Sequence, residues 1–291
     1  MKKQLHNLLQ SRVQQLVSNS GKRELANDKM IKKNELLQKR SGQIVKAKAC
    51  GRIDQISSEN EVWYHVHFQY LIKQKNFLYI EEEIEYRKGM FKDHLLIEDK
   101  EVYPFDVDEK VEEEDNHFEE ISEERKSYYY NRLKAVQYAE KWWNSYNPAY
   151  KKFDVDCTNF ISQCLHAGGA PMRGYPNQGT GWWMRSNQWS YSWTVANSLK
   201  RYLMNSKIGL QAKTVKSPMD LKLGDVICYD FQGDGRFDHS TIVTGKDANG
   251  EPLVNAHTTN SRLRYWSYED STAYTPNIRY MFFTILDNET T

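Results

Sequence analysis

The chain has 291 residues, 39% apolar and 13% aromatic, enough for one large domain or two ordinary ones with real hydrophobic cores. Its 40 Lys and Arg stand against 39 Asp and Glu, and a net charge of +1 gives no electrostatic case for nucleic acid as the main partner. Four cysteines without a C-x-x-C pair make neither a disulfide framework nor a structural zinc site. The opening MKKQLHNLLQSRVQQLV is basic but lacks the apolar run and small-residue cleavage site of a signal peptide. No window is apolar enough to cross a membrane. A cytoplasmic location is the default expectation, with non-classical export as the other route.

Leu5, Leu9, Val13 and Leu16 recur at helical spacing, and Met30, Ile31, Leu36 and Leu37 extend a helix, or start a second, up to about residue 40. In EVWYHVHFQYLI the period changes to two: Val62, Tyr64, Val66, Phe68 and Tyr70 alternate with Trp63, His65, His67 and Gln69. NFLYIEEEIEYRK and HLLIEDKEVYPF read as two further strands. Residues 1–105 are therefore expected to form a small α+β domain, helix plus antiparallel meander. His65 and His67 share a strand face, as two metal ligands or as the outward side of a half-buried strand. Cys50 and Cys228 read as buried free thiols.

Residues 1–40 hold ten Lys or Arg against three acids, whereas residues 106–125 hold eleven acids against two bases. The tract DVDEKVEEEDNHFEEISEE reads as a solvated linker, assigned to 106–127. A docking of the basic N-terminal helix on this tract is the other reading of the asymmetry. The second domain is then 128–291. It opens with the helix SYYYNRLKAVQYAEKWWNSYNPAY, its stripe running along Tyr129, Leu133, Val136, Glu140 and Trp143 until Asn147-Pro148 stops it.

FDVDCTNFISQCLHAGG follows. Phe160, Ile161, Cys164 and Leu165 give the spacing of a helix on a core, Asp156 and Thr158 suit its start, and Gly168-Gly169 its stop. Cys157 then falls in the first turn, where unpaired N–H groups and the helix dipole favour a thiolate. Cys164 falls among apolar neighbours and stays inert. A nucleophilic cysteine needs a base held by a third polar group. After a Gly/Trp-rich loop and a helix near 193–205, the strands DVICYDF, HSTIVTGK, PLVNAHTT and RYMFFTIL are expected. His239 opens one of them, and Asn255 and His257 share a face of the next, either being able to orient His239. Backbone N–H groups at the start of the Cys157 helix are candidate oxyanion donors.

The succession DCTNFISQ, LGDVICYD, DHSTIVTG and LVNAHTTN resembles the papain-like hydrolases of the NlpC/P60 and CHAP type, most closely the amidase domain of Gram-positive, often spore-forming bacteria. The resemblance covers about residues 126–291. It implies a helix carrying the cysteine packed on an antiparallel sheet, and a cysteine amidase or peptidase working through an acyl-thioester. It implies Cys157 as nucleophile, His239 as base and then acid, and His257 or Asn255 as the orienting group. No cofactor is implied, and the expected substrate is a peptide or muropeptide of cell-wall type. Asp156 and Asp238, which precede Cys157 and His239, are candidate substrate contacts with Trp182 and Trp183. The tryptophans of GTGWWMRSNQWSYSW line a cleft or belong to the core. DFQGDGRFD partly matches a calcium loop through Asp230, Asp234, Gly235 and Asp238, but Thr241 breaks the match at the twelfth position, which favours a hairpin loop that sets His239 in place. A binding module that keeps this fold without turnover is the competing functional reading.

Overall fold

A computed structural model describes residues 1–17, 28–57, 60–102 and 128–287, so the acidic tract lies outside the described residues. The chain opens with helices α1 (Lys2–Val17) and α2 (Asp28–Lys39), then strands β1 (Gly42–Ile56), β2 (Glu61–Gln74), β3 (Phe77–Lys92) and β4 (Leu95–Glu101). The alternating runs correspond to β2, β3 and β4, and Val62, Tyr64, Val66, Phe68, Tyr70 and Ile72 all point inward. β1 is an addition: beyond Ile44 it carries mostly small or charged residues because it forms the outer edge of the sheet. Cys50, expected to be buried, is exposed on this edge strand.

α1 and α2 cover the inner face of the meander, where Leu5, Leu9, Leu16, Met30 and Leu37 pack with the β2 residues. The same helices bury Arg12, Lys29 and Lys33. Each meets a carboxylate on β3 or β4: Lys29 Nζ lies 2.6 Å from Glu85 and 3.1 Å from Glu101, Arg12 lies 2.7 Å from Asp99, and Lys33 pairs with Glu81. Part of the basic excess of the first forty residues thus answers acids inside the fold. Burial pushes the Glu83 carboxyl up, but Lys29, Lys33 and Arg264 outweigh it and hold it at about 2.

The second segment contains α3 (Arg132–Trp142), α4 (Cys157–Ala167), two short strands β5 (Met184–Arg185) and β6 (Gln188–Trp189), α5 (Tyr191–Thr194) and α6 (Ala196–Asn205). Strands β7 (Ala212–Val215), β8 (Val226–Asp230), β9 (His239–Lys246), β10 (Pro252–Ala256), β11 (Ser261–Tyr265) and β12 (Arg279–Ile285) follow. α3 turns Ala135 and Ala139 inward, whereas Tyr129 and Leu133 of the expected stripe are exposed. Small side chains suit the close approach of α3 to α4.

All strands but β5 and β6 form one antiparallel sheet in the order β1-β2-β3-β11-β10-β9-β8-β12-β7, with β4 also on β3. The architecture is mixed helix and antiparallel sheet, the expected α+β class. β3 and β11 make the junction, where Ser261 pairs with Glu83 and Arg262 with Glu82. The segments on either side of the acidic tract therefore share a sheet, and Leu253 of β10 packs in the N-terminal apolar cluster. Along β8 the period of two divides the second segment: Val226 and Cys228 face Phe160, Ile161, Cys164 and Leu165 of α4, while Ile227 and Tyr229 join Val243, Val254 and Tyr268. Among the described residues no helix is long and apolar enough to cross a membrane.

Candidate active site

Cys157 is the first residue of α4, and every residue from Cys157 to Leu165 is buried. Asp156 occupies the N-cap position without capping the helix through its side chain. The cap comes from Thr258, just past β10, whose Oγ1 accepts from the N–H groups of Asp156 at 3.2 Å and Cys157 at 3.1 Å. Thr258 has φ of +78°, an unfavourable conformation for a β-branched residue, held here by the cap and the surrounding turn. Of the backbone N–H groups at the start of this helix, the candidate oxyanion donors, that of Cys157 is engaged by Thr258. The Asp156 carboxylate is released for other work. Its Oδ1 accepts from Phe153 N–H at 3.0 Å and Asn159 Nδ2 at 2.9 Å, and its Oδ2 lies 2.7 Å from His257 Nδ1.

Burial raises the Cys157 thiol above its ordinary value, although Thr158, the Ser240 backbone N–H and the Thr258 hydroxyl pull it down. The expectation of a thiolate favoured by the helix start is corrected on this point: for a side chain only 2% exposed, desolvation outweighs the dipole. Burial raises Cys164 much further, with no neighbouring side chain to oppose it. The distinction between the two cysteines therefore remains, as a difference between a polar and an apolar burial. With iodoacetamide at neutral pH, exposed Cys50 is expected to react first, Cys157 slowly and Cys164 last. Peptide mapping over time checks this, and Cys164 reacting before Cys157 would contradict the difference between the two burials.

His239 opens β9, as expected, and is 6% exposed. Burial, reinforced by the positive charge of Arg264, drives its pKa down to about 3, so the ring is neutral at physiological pH. Cys157 and His239 share no hydrogen bond. Their surroundings nevertheless overlap. The sulfur faces the N–H of Ser240, the residue after His239, and its charge would bear on Tyr268. The His239 Nε2 lies 3.4 Å from that tyrosine's hydroxyl.

Neither expected orienting residue contacts His239. Asn255 Oδ1 accepts from Thr244 Oγ1 and Leu263 N–H, both at 2.8 Å, while its Nδ2 donates to Glu140 at 2.9 Å. These bonds tie β9, β10 and β11 to α3. His257 is also fully used: Nδ1 faces Asp156, Nε2 lies 2.8 Å from the Trp142 carbonyl, and the ring stacks on Phe160 at 4.0 Å. The side chain that does lie beside His239 Nε2 is Tyr268, through its hydroxyl. It lies on the loop after β11, and neither its spacing nor its type signals a role in the sequence.

The expected substrate contacts are also revised. Trp182 and Trp183 are essentially inaccessible, their indole N–H groups donating to Ser162 Oγ and to the Asn177 carbonyl, and Trp193 is core as well. Asp156 is buried in its pair with His257. Asp238 is exposed, with Oδ2 accepting from Phe231 N–H at 3.2 Å. Half-buried Trp189 is the tryptophan of this loop that reaches the surface, its ring edge-on to Phe153 and under Lys151 Nζ at 4.3 Å. In DFQGDGRFD the Asp230 carboxylate gathers the N–H groups of Gly233, Asp234 and Gly235, which organises a hairpin loop ahead of His239. His65 and His67 pair instead with Asp54 and Glu82.

Uncharacterized protein YhbB of Bacillus subtilis (strain 168) is 56% identical over 272 residues, spanning 90% of this chain and 87% of its own. Uncharacterized protein YjcM of the same organism is 34% identical over 140 residues, 45% of this chain and 31% of its own. No solved structure matches the chain. Residues 129–283, which contain Cys157, His239, Thr258 and Tyr268, match the family described as "Putative amidase domain", and the chain belongs to that family.

Proposed function

We propose that the protein is a cysteine-dependent amide hydrolase of the papain-like NlpC/P60 and CHAP type, acting on peptides or muropeptides of cell-wall type. The observation that carries this reading is that Cys157, at the start of α4, faces Ser240, the second residue of β9, while the first, His239, has its Nε2 3.4 Å from the Tyr268 hydroxyl. Burial disfavours both a thiolate and an imidazolium here, so the resting pair is neutral. In the reaction His239 takes the thiol proton as sulfur attacks the amide carbonyl, and returns it to the nitrogen as the C–N bond breaks. The acyl-thioester is then hydrolysed by water, which gives a proton to His239 as its oxygen attacks the carbonyl; His239 passes that proton to the leaving sulfur, releasing the acid and restoring the thiol. Substrate has to open the site, because Cys157 is closed from solvent and its N–H is bound to Thr258.

That closure favours a second reading, a binding module that keeps the fold without turnover. Incubating wild type and Cys157→Ala with muropeptides and generic peptide amides, with products read by mass spectrometry, separates the two. Cleavage by wild type is expected, with a loss of at least about 10³-fold in the variant. Equal products from both proteins would sink the cysteine mechanism, and no cleavage by wild type would favour the binding module.

A further inference from the structure

We propose that Tyr268 is the positioning residue for His239, and that α2 and β3 of the N-terminal segment complete the site by holding Tyr268 in place. The catalytic consequence rests on the cysteine amidase reading above; the hydrogen-bond arrangement does not.

Tyr268 is 1% exposed and has φ of +57°, a conformation unusual for a bulky side chain and maintained only where the surroundings fix it. Its ring lies between the His239 ring, centroids 5.3 Å apart, and the Arg264 guanidinium, 4.1 Å from the centroid. Its hydroxyl lies 3.4 Å from His239 Nε2 and 3.3 Å from Ser261 Oγ. Two connections lead from there into the N-terminal segment. Ser261 is the strand partner of Glu83 on β3, and the neighbouring Ile84 N–H donates to the Asn260 carbonyl at 2.8 Å. Arg264 Nη2 lies 2.8 Å from Asp270, whose other oxygen lies 2.9 Å from Lys33 Nζ on α2. Asp270 thus neutralises an arginine that otherwise opposes any positive charge on His239, and α2 fixes where Asp270 sits.

The direction of the hydrogen bonds decides what this does. Burial keeps the Tyr268 phenol protonated, with one proton to give. If that proton goes to Ser261 Oγ, the phenol oxygen accepts from His239 Nε2–H, and the lone pair is left on Nδ1. Nδ1 carries no hydrogen bond among the described residues and is the nitrogen that would take the thiol proton. The opposite direction would put the proton on Nδ1 and block it. We assign the first direction, in which Ser261 Oγ accepts from the phenol and His239 holds the tautomer able to take the thiol proton.

The test is ¹⁵N-detected NMR of the histidine side chains in the full chain, with His239→Gln identifying the signal. Wild type is expected in the Nε2–H tautomer. Tyr268→Phe, which keeps the ring and its contact with Arg264, is expected to shift His239 to a mixture of tautomers. Ser261→Ala is expected to shift it in the same direction, and gives the answer if the phenylalanine variant fails to fold. With a cleavable amide, Tyr268→Phe is expected to lower kcat about 10–100-fold while KM stays within about twofold. An unchanged tautomer in both variants, or an unchanged kcat, would overturn the proposal. If wild type cleaves nothing, the amidase reading fails, and the tautomer measurement still decides whether Tyr268 sets His239.

Discussion

Replacing His257 by Leu is expected to lower the unfolding free energy by about 1–3 kcal/mol or more, the range for a buried polar group left without its hydrogen-bond partner. His257 and Asp156 are both buried, and their 2.7 Å contact joins the end of β10 to the start of α4. Without the imidazole, Asp156 Oδ2 loses its partner, the Trp142 carbonyl loses its donor, and the stacking on Phe160 and the edge contact with Tyr146 disappear. Leucine fills much of the volume but supplies no donor, so the cost is chiefly that of a buried carboxylate left half satisfied. The partner variant discriminates this account from simple loss of packing. Asp156→Asn in the His257→Leu background removes the uncompensated charge, so the double variant is expected to be more stable than the sum of the single effects. Urea unfolding of the four proteins measures this. A His257→Leu midpoint equal to wild type, or strictly additive effects, would show that the pair does not hold α4. The prediction also separates the two assignments of His257: a group that only orients the base would lower activity with little loss of stability.

What could be read in the sequence is what a residue's own neighbours along the chain determine. The inward series Val62 to Tyr70 follows from a period of two, and the end of α4 follows from Gly168-Gly169, whereas its start at Asp156 is capped by Thr258 from elsewhere in the chain. The position of His239 at the head of β9 follows from the apolar run HSTIV, with Asp238 and its turn before it. The parts that escaped depend on who meets whom in space. Glu81, Glu83 and Glu85 read as an ordinary polar strand, because nothing local shows that Lys29 and Lys33 arrive from another helix to neutralise them. β11, the charged run SRLRY, has little strand signal of its own, yet its pairing with β3 joins the two segments. Asn255 and His257 are two polar groups near the end of β10, placed there by the period of two. Their partners, Glu140 and the Trp142 carbonyl, come from α3, and a period of two says nothing about that helix. Thr258 and Tyr268 lie on turns with positive φ, where a residue's type argues against its conformation and only tertiary contacts maintain it.

Residues 128–291 expressed alone are expected to lack a stable native monomer, although the family match begins at residue 129. Removing the N-terminal segment strips β11 of its partner β3 and leaves a sheet edge in the middle of the native sheet. It also leaves Leu253 without the apolar cluster that buries it. The ionic losses are more severe. Asp270 loses Lys33, and Asp247 loses both Arg40 at 3.2 Å and Gln74 at 3.1 Å. Arg262 loses Glu82 and keeps only Glu140. Together with the uncovered edge and the exposed apolar face, these lost pairings are comparable with the small margin by which a typical domain is stable. The fragment should therefore elute as an aggregate in size-exclusion chromatography and show a weak near-UV circular dichroism signal, while the full chain elutes as a discrete species and melts cooperatively. A fragment that is monomeric and melts within a few degrees of the full chain would show that the shared sheet is incidental. The matched region contains the proposed nucleophile, base and positioning residue, but groups packed around them lie partly on α2 and β3. A fragment that fails to fold would show that the boundary of the family match is not the boundary of the folding unit.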